Sequence, residues 1–168
     1  MTSAGRTSTG VVLLAALGLL AGCGGNGDAP PKVTVRAGGD PVDATPTQYC
    51  LDGDGQRYQS KPPYLEVAPG TAIELSVPDA VAAAGWSVQV FDEKLEQKIG
   101  EVEVDEGAAV FDGISTSDVA PPAFYLVVVE DKGGACGPFS GAWPVGFLRA
   151  GGEAATSDGA TPGASPSG

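Results

Sequence analysis

Carboxylates, aromatic rings and three cysteines are the reactive or recognition-capable side chains of this 168-residue chain, and imidazole is missing from it. The chain contains no histidine. Without imidazole, Ser-His-Asp and Cys-His catalysis cannot be assembled in their usual form, and neither can His-ligated zinc or copper sites. The single methionine is Met1, so the axial ligand of a blue-copper centre is missing too. Carboxylates remain. Glu101, Glu103, Asp105 and Glu106 form the densest acidic cluster. Glycoside hydrolysis needs two carboxyls facing each other across a substrate, about 5–9.5 Å apart. Here Glu101, Glu103 and Asp105 alternate with Val102 and Val104, the pattern of solvated neighbours on one strand face. No catalytic residue is assigned.

The run Asp52-Gly53-Asp54-Gly55 resembles the opening of a calcium loop, where close carboxylates and a glycine turn surround a hard cation. No acid follows at the later ligand positions, and Arg57 and Lys61 add positive charge. A Gly/Asp-rich β-turn explains the run equally well. No metal or cofactor is expected. Tyr49, Tyr58, Tyr64, Trp86 and Trp143 offer rigid aromatic area for stacking on sugars or a partner. Trp86 and Trp143 fall in phase with apolar strand residues and read as core. Tyr58 and Tyr64 flank Pro62-Pro63, and these four residues are the candidate surface contact.

The three cysteines carry the most specific signal. Met1–Gly10 is polar with one positive charge at Arg6, Val11–Leu20 is almost unbroken apolar sequence, and Ala21-Gly22-Cys23 follows. A charged start, a short apolar stretch and a small-residue cleavage site make an export signal. The stretch is too short to span a bilayer, which takes about 20 residues. Leu20-Ala21-Gly22-Cys23 is similar to the lipobox of bacterial lipoproteins, in which the thiol is acylated before the peptide is cut. On this reading residues 1–22 are a signal peptide, and Cys23 carries acyl chains that hold the protein on the outer face of the cell membrane. Cys50 and Cys136 are then an even pair outside the cytoplasm and read as a disulfide. Two cysteines without histidine are a poor metal site.

Residues 23–31 are Gly/Asp/Pro-rich and read as a tether, and 151–168 has too little apolar surface to fold and reads as a disordered tail. The stretch 32–150 is long enough for one domain with its own core. Its dominant pattern is period-two alternation: Leu65/Val67, Ile73/Leu75/Val77, Val88/Val90, Val102/Val104 and Trp143/Val145/Phe147. Phe124–Val129 is continuously apolar, as for a central strand covered on both faces. Val33–Arg36 and Tyr49–Leu51 are shorter candidates. Turns are expected at Pro69-Gly70, Gly107, Gly113, Pro121-Pro122 and Gly133-Gly134. One short helix is expected over Asp79–Ala84, with Asp79 as N-cap and Gly85 beyond its end. The expected fold is all-β: an antiparallel, immunoglobulin-like β-sandwich. The Cys50…Trp86…Cys136 spacing does not fit true antibody domains, whose tryptophan lies closer to the first cysteine and whose tyrosine position is here Gly134.

Taken together, the lipobox, Val33–Arg36, Tyr49-Cys50, Pro69-Gly70, Gly85-Trp86 and Cys136 resemble a family of actinobacterial lipoproteins known only as a domain of unknown function. The resemblance implies a surface location and a small β-rich domain, and carries over no catalytic residues.

The charge narrows the partners. The net charge is −12, and removal of residues 1–22 takes away Arg6 and no acid. Such a chain is not expected to bind nucleic acid or anionic head groups, which need clustered Lys and Arg. Its membrane contact would run through the acyl chains on Cys23. Three functions fit in descending order: a non-catalytic interaction module for an envelope protein or glycan, a carrier of a small apolar or glycolipid ligand, and an envelope-polymer hydrolase.

Overall fold

The computed structural model describes residues 29–119, 121–130, 136–137 and 140–151. The export signal, Cys23, most of the tether, the Gly133-Gly134 turn and the tail beyond 151 lie outside the described residues. The elements are β1 (Val33–Arg36), β2 (Val42–Ala44), β3 (Gln48–Leu51), β4 (Asp54–Arg57), β5 (Tyr64–Val67), β6 (Ala72–Ser76), α1 (Asp79–Ala84), β7 (Trp86–Asp92), β8 (Lys98–Glu103), β9 (Val110–Ser115), β10 (Ala123–Glu130) and β11 (Gly141–Arg149).

Two sheets face each other as a β-sandwich. The smaller has the order β2-β1-β6-β9 and the larger β4-β3-β11-β10-β7-β8. The pairings are antiparallel with one exception. β5 runs parallel to β11 over Gly146–Arg149, on the edge that β3 occupies further along at Gly141 and Ala142. Among the described residues β11 therefore has no neighbour on that edge between the two contacts, and Pro144 sits there. The missing N–H of proline costs no ladder bond where the strand has no partner.

The alternation of the sequence becomes the core. Val33, Val35, Ile73 and Leu75 from the smaller sheet meet Val88, Leu126, Val128, Trp143, Val145 and Phe147 from the larger, each 0–1% exposed. Phe124 and Phe147, cross-strand partners, stack with centroids 5.3 Å apart. Both tryptophans lie in this core, and each donates its indole N–H: Trp86 to the Ala108 carbonyl at 2.7 Å, Trp143 to the Pro31 carbonyl at 2.8 Å. Cys50 and Cys136 form the expected disulfide, with Cα atoms 5.8 Å apart.

The chain crosses from one sheet to the other through α1, which has the bounds read from the sequence. Its cap differs. Pro78 is the N-cap, and its carbonyl accepts the N–H groups of Val81 and Ala82, while Asp79 sits in the first turn. There its carboxylate still opposes the positive end of the helix dipole. Gly113 also differs. It lies inside β9 rather than in a turn, and a Cβ on it would come within 2.8 Å of the Phe111 ring. Pairing with β6 shifts register between Ile73 and Leu75, so Phe111 and Ile114 both reach inward three residues apart. A bulge of this kind breaks the period of two and hides the strand from pattern reading.

Candidate functional site

Asp52 and Gly53 both adopt positive φ, 52° and 84°, and close a two-residue hairpin between β3 and β4. Asp-Gly is the preferred dipeptide for such a turn. The aspartates thus serve a hairpin. Among the described residues no group of three or more His, Cys, Asp or Glu side chains gathers as a metal site would require.

The acidic cluster divides. Glu101 lies on β8 opposite Gln89, and receives hydrogen bonds from Lys98 Nζ at 2.6 Å and Gln89 Nε2 at 2.9 Å. Those bonds, led by Lys98, hold its pKa below the ordinary carboxylate value. Glu103 and Glu106 line one side of a shallow depression with Trp86 and Val104, and Asp105 lies beyond the strand. Glu101 and Glu103 share one face of this edge strand, as the alternation suggests, whereas Asp105 falls past its end.

The four surface candidates separate as well. Tyr58 donates its backbone N–H to the Thr47 carbonyl just before β3, and Pro63 accepts from Gly146 N–H of β11, so the segment is fastened at both ends. Tyr64 is 46% exposed and its ring meets Tyr125 edge-on at 6.0 Å. It lies over Gly146, where a Cβ would collide with the ring. Pro62 is the member of the set that joins a larger feature.

That feature is the outer face of the larger sheet. The inner face uses Val88 and Val90 of β7, Leu126 and Val128 of β10, and Trp143 and Val145 of β11. The alternate residues therefore point away from the core, and the register places them in cross-strand rows. One row runs Phe91, Tyr125, Gly146, Tyr64; the next Gln89, Val127, Pro144; the third Ser87, Val129, Ala142, Gln48, Arg57. An exposed sheet face is normally polar, but the middle of this one is apolar. Thr47, Gln48, Pro62, Gln89, Phe91, Leu95, Val127, Val129, Ala142 and Pro144 line an open groove of about 470 Å³. Pro62 walls it on the β11 edge and Leu95 from the β7–β8 turn. At its floor Val127 and Val129 are only 8% and 4% exposed, though they are outside the core cluster. The sequence reading of β10 as covered on both faces holds for burial, but the second cover is a groove and two walls rather than another layer.

The Leu95 wall carries backbone strain. Its φ is 57° and its side chain is 38% exposed. A leucine in the left-handed region costs about 1–2 kcal/mol. The turn is fixed by Asp92, whose carboxylate accepts the N–H groups of Glu96 at 2.8 Å and Gln97 at 3.2 Å. At its Gln48 end the groove adjoins a more polar cavity of about 330 Å³ beside the disulfide, lined by Tyr49, Cys50, Gly55, Gln56, Arg57, Cys136 and Ser140. Burial, with Glu130 next in effect, raises the Tyr49 phenol above its ordinary 10.0.

Apart from Pro62, the groove residues were not singled out from sequence. The signal was present in Phe124–Val129: an uninterrupted apolar strand obliges something to cover Val127 and Val129. The chain has no match among curated proteins or among solved structures. Residues 26–145 match the family model described as "Protein of unknown function (DUF2771)", and because the match spans most of the chain, the protein belongs to that family.

Proposed function

We propose that this protein is a lipid-anchored extracytoplasmic module, built on an immunoglobulin-like sandwich in the manner of actinobacterial lipoproteins, that binds a component of the cell envelope without catalysis. The export segment and Leu20-Ala21-Gly22-Cys23 support the anchor. The observation that carries the binding role is the apolar groove on the outer sheet face. Its floor residues would be polar if that face merely met water, and the strained Leu95 beside it retains a large apolar side chain where glycine would be cheaper. Conserving a stiff scaffold while presenting recognition groups on a turn and a loop is a common division of labour in binding domains.

A carrier of a small apolar or glycolipid ligand is the second reading. The groove favours it, since its volume falls within the roughly 300–1,000 Å³ of small-molecule sites. The test is a photo-reactive amino acid placed at Leu95, and separately at Val110, which is 53% exposed on the smaller sheet. After irradiation of native membranes, a specific adduct is expected from position 95 and none from 110. Equal labelling from both positions would contradict the proposal. Anchoring is checked with labelled palmitate, which should be incorporated by the wild type and not by Cys23→Ser.

A further inference from the structure

The distribution of charge around the groove says what kind of molecule it takes. The outer face is graded from edge to edge. β8 contributes Glu101 and Glu103, of which Glu101 is neutralised by Lys98. The centre contributes Val127, Val129, Ala142 and Pro144. β4, at the opposite edge, contributes Arg57 in the same row as Gln48 and Ala142. Lys61 precedes the groove-wall residue Pro62 and is exposed. In a chain with 9 basic and 21 acidic residues, one cation in this row and another beside the Pro62 wall are a local excess. The ion pairs of the described residues are Lys32–Asp43, Arg36–Glu74 and Lys98–Glu101, and they leave Arg57 and Lys61 out. Asp54, the acid nearest Arg57 along β4, accepts from Gln56 Nε2 at 3.4 Å. Glu130 stands behind Ser140, whose hydroxyl donates to its Oε2 at 3.0 Å.

The two adjoining cavities complete the picture. The apolar groove and the polar cavity share Gln48, and the polar one is lined by Gln56 and Arg57. An apolar trough opening at one end onto amide and guanidinium donors matches a molecule with a long hydrocarbon tail and a negative head. Resting on the binding-module reading, we propose that the groove holds the tail of a single-chain anionic amphiphile and that Arg57 receives its head group. A peptide fits less well. The grading asks for one long apolar segment and one terminal charge. The guanidinium supplies planar, charge-assisted donors suited to a carboxylate or phosphate.

The test uses the full chain carrying Cys23→Ser, titrated calorimetrically with myristate below its micellar concentration, and with glycerol monomyristate as a neutral-headed comparator. One myristate per chain is expected. Arg57→Gln should weaken myristate binding about three- to ten-fold, with the difference shrinking in high salt, and leave the comparator unchanged. Arg57 is exposed, so this variant is expected to fold. Ala142→Phe, which fills the trough, should abolish binding of both. Absence of saturable binding overturns the proposal, as does myristate affinity indifferent to both variants. Binding of an acidic peptide in place of myristate overturns it too. If position 95 still cross-links a specific partner while myristate fails to bind, the ligand class is wrong and the binding module stands. If both fail, the module itself is wrong.

Discussion

Placing a methyl group on Gly141 tests the packing that joins the tether to the sandwich. Gly141 opens β11 on the same face as Trp143, and the fully buried indole lies over it. A Cβ at 141 would stand 2.5 Å from Trp143 Cζ3, nearer still to Cη2, and 3.2 Å from Tyr49 Cδ2. Carbon atoms in contact prefer about 3.5–4.0 Å, so the ring must shift by roughly an ångström. Tyr49 limits that shift, because its ring already meets the indole with centroids 5.7 Å apart. Overpacking of this kind costs about 1–3 kcal/mol. The shift also stretches the 2.8 Å bond from Trp143 Nε1 to the Pro31 carbonyl, and loss of a hydrogen bond adds about 0.5–1.5 kcal/mol. Gly141→Ala should therefore destabilise the protein by about 2–4 kcal/mol in urea unfolding, with faster amide exchange at residues 32–33. Gly39→Ala is the control, since nothing lies within 4 Å of its added Cβ, and it should change stability by less than about 0.5 kcal/mol. A Gly141→Ala protein as stable as the control would refute the packing argument.

Three further outcomes follow from the same geometry. Replacing Cys50 and Cys136 together by serine opens a loop with a sequence separation of 86, and in the chain-entropy picture should cost on the order of 4–5 kcal/mol, read from denaturant unfolding. The Glu101 pKa is depressed chiefly by Lys98, so its contribution is present above the unfolded carboxylate pKa and is lost as pH falls through the folded one. Glu101→Gln should flatten the acid limb of a stability–pH curve, and an unchanged limb would count against the Lys98–Glu101–Gln89 cluster. The Tyr49 pKa is raised, mainly by burial, so its contribution is present below the unfolded value of 10.0 and is lost as pH rises through the folded one. A phenolate absorbance titration should show late ionisation of Tyr49 and of Tyr64, whose pKa burial likewise raises, and Tyr49→Phe should remove one of the two.

The strands that alternate cleanly were readable because each has one face in the core. Ile73/Leu75, Val88/Val90 and Trp143/Val145/Phe147 appear in the structure as the sequence has them. The strands that escaped notice lack that property. β4 is exposed at every residue, β2 has three residues, and β9 carries a bulge that puts Phe111 and Ile114 out of phase. Gly113 looked like a turn because glycine usually is one, whereas here it clears room for a ring. The disulfide was readable from the parity of the cysteines and the export expected from residues 1–22, but the groove was not. It arises from residues on β3, β7, β10 and β11 together with Pro62 and Leu95, and only the sheet order makes them neighbours. Of the four surface candidates, the one that lines the groove is the proline rather than a tyrosine. The tyrosines were preferred for their contact area, while Pro62 is there because the β4–β5 connection must cross the unpaired stretch of β11.

If the outer face of the larger sheet is where this protein meets its target, filling the groove in native membranes must block the encounter. Cross-linking yield from a photo-reactive residue at Leu95 would be measured with and without Ala142→Phe, alongside circular dichroism to confirm an unaltered sandwich. The specific adduct should fall about ten-fold or more, as expected when about 1.4 kcal/mol or more of binding is removed. An undiminished adduct from a correctly folded Ala142→Phe protein would place the recognition surface elsewhere.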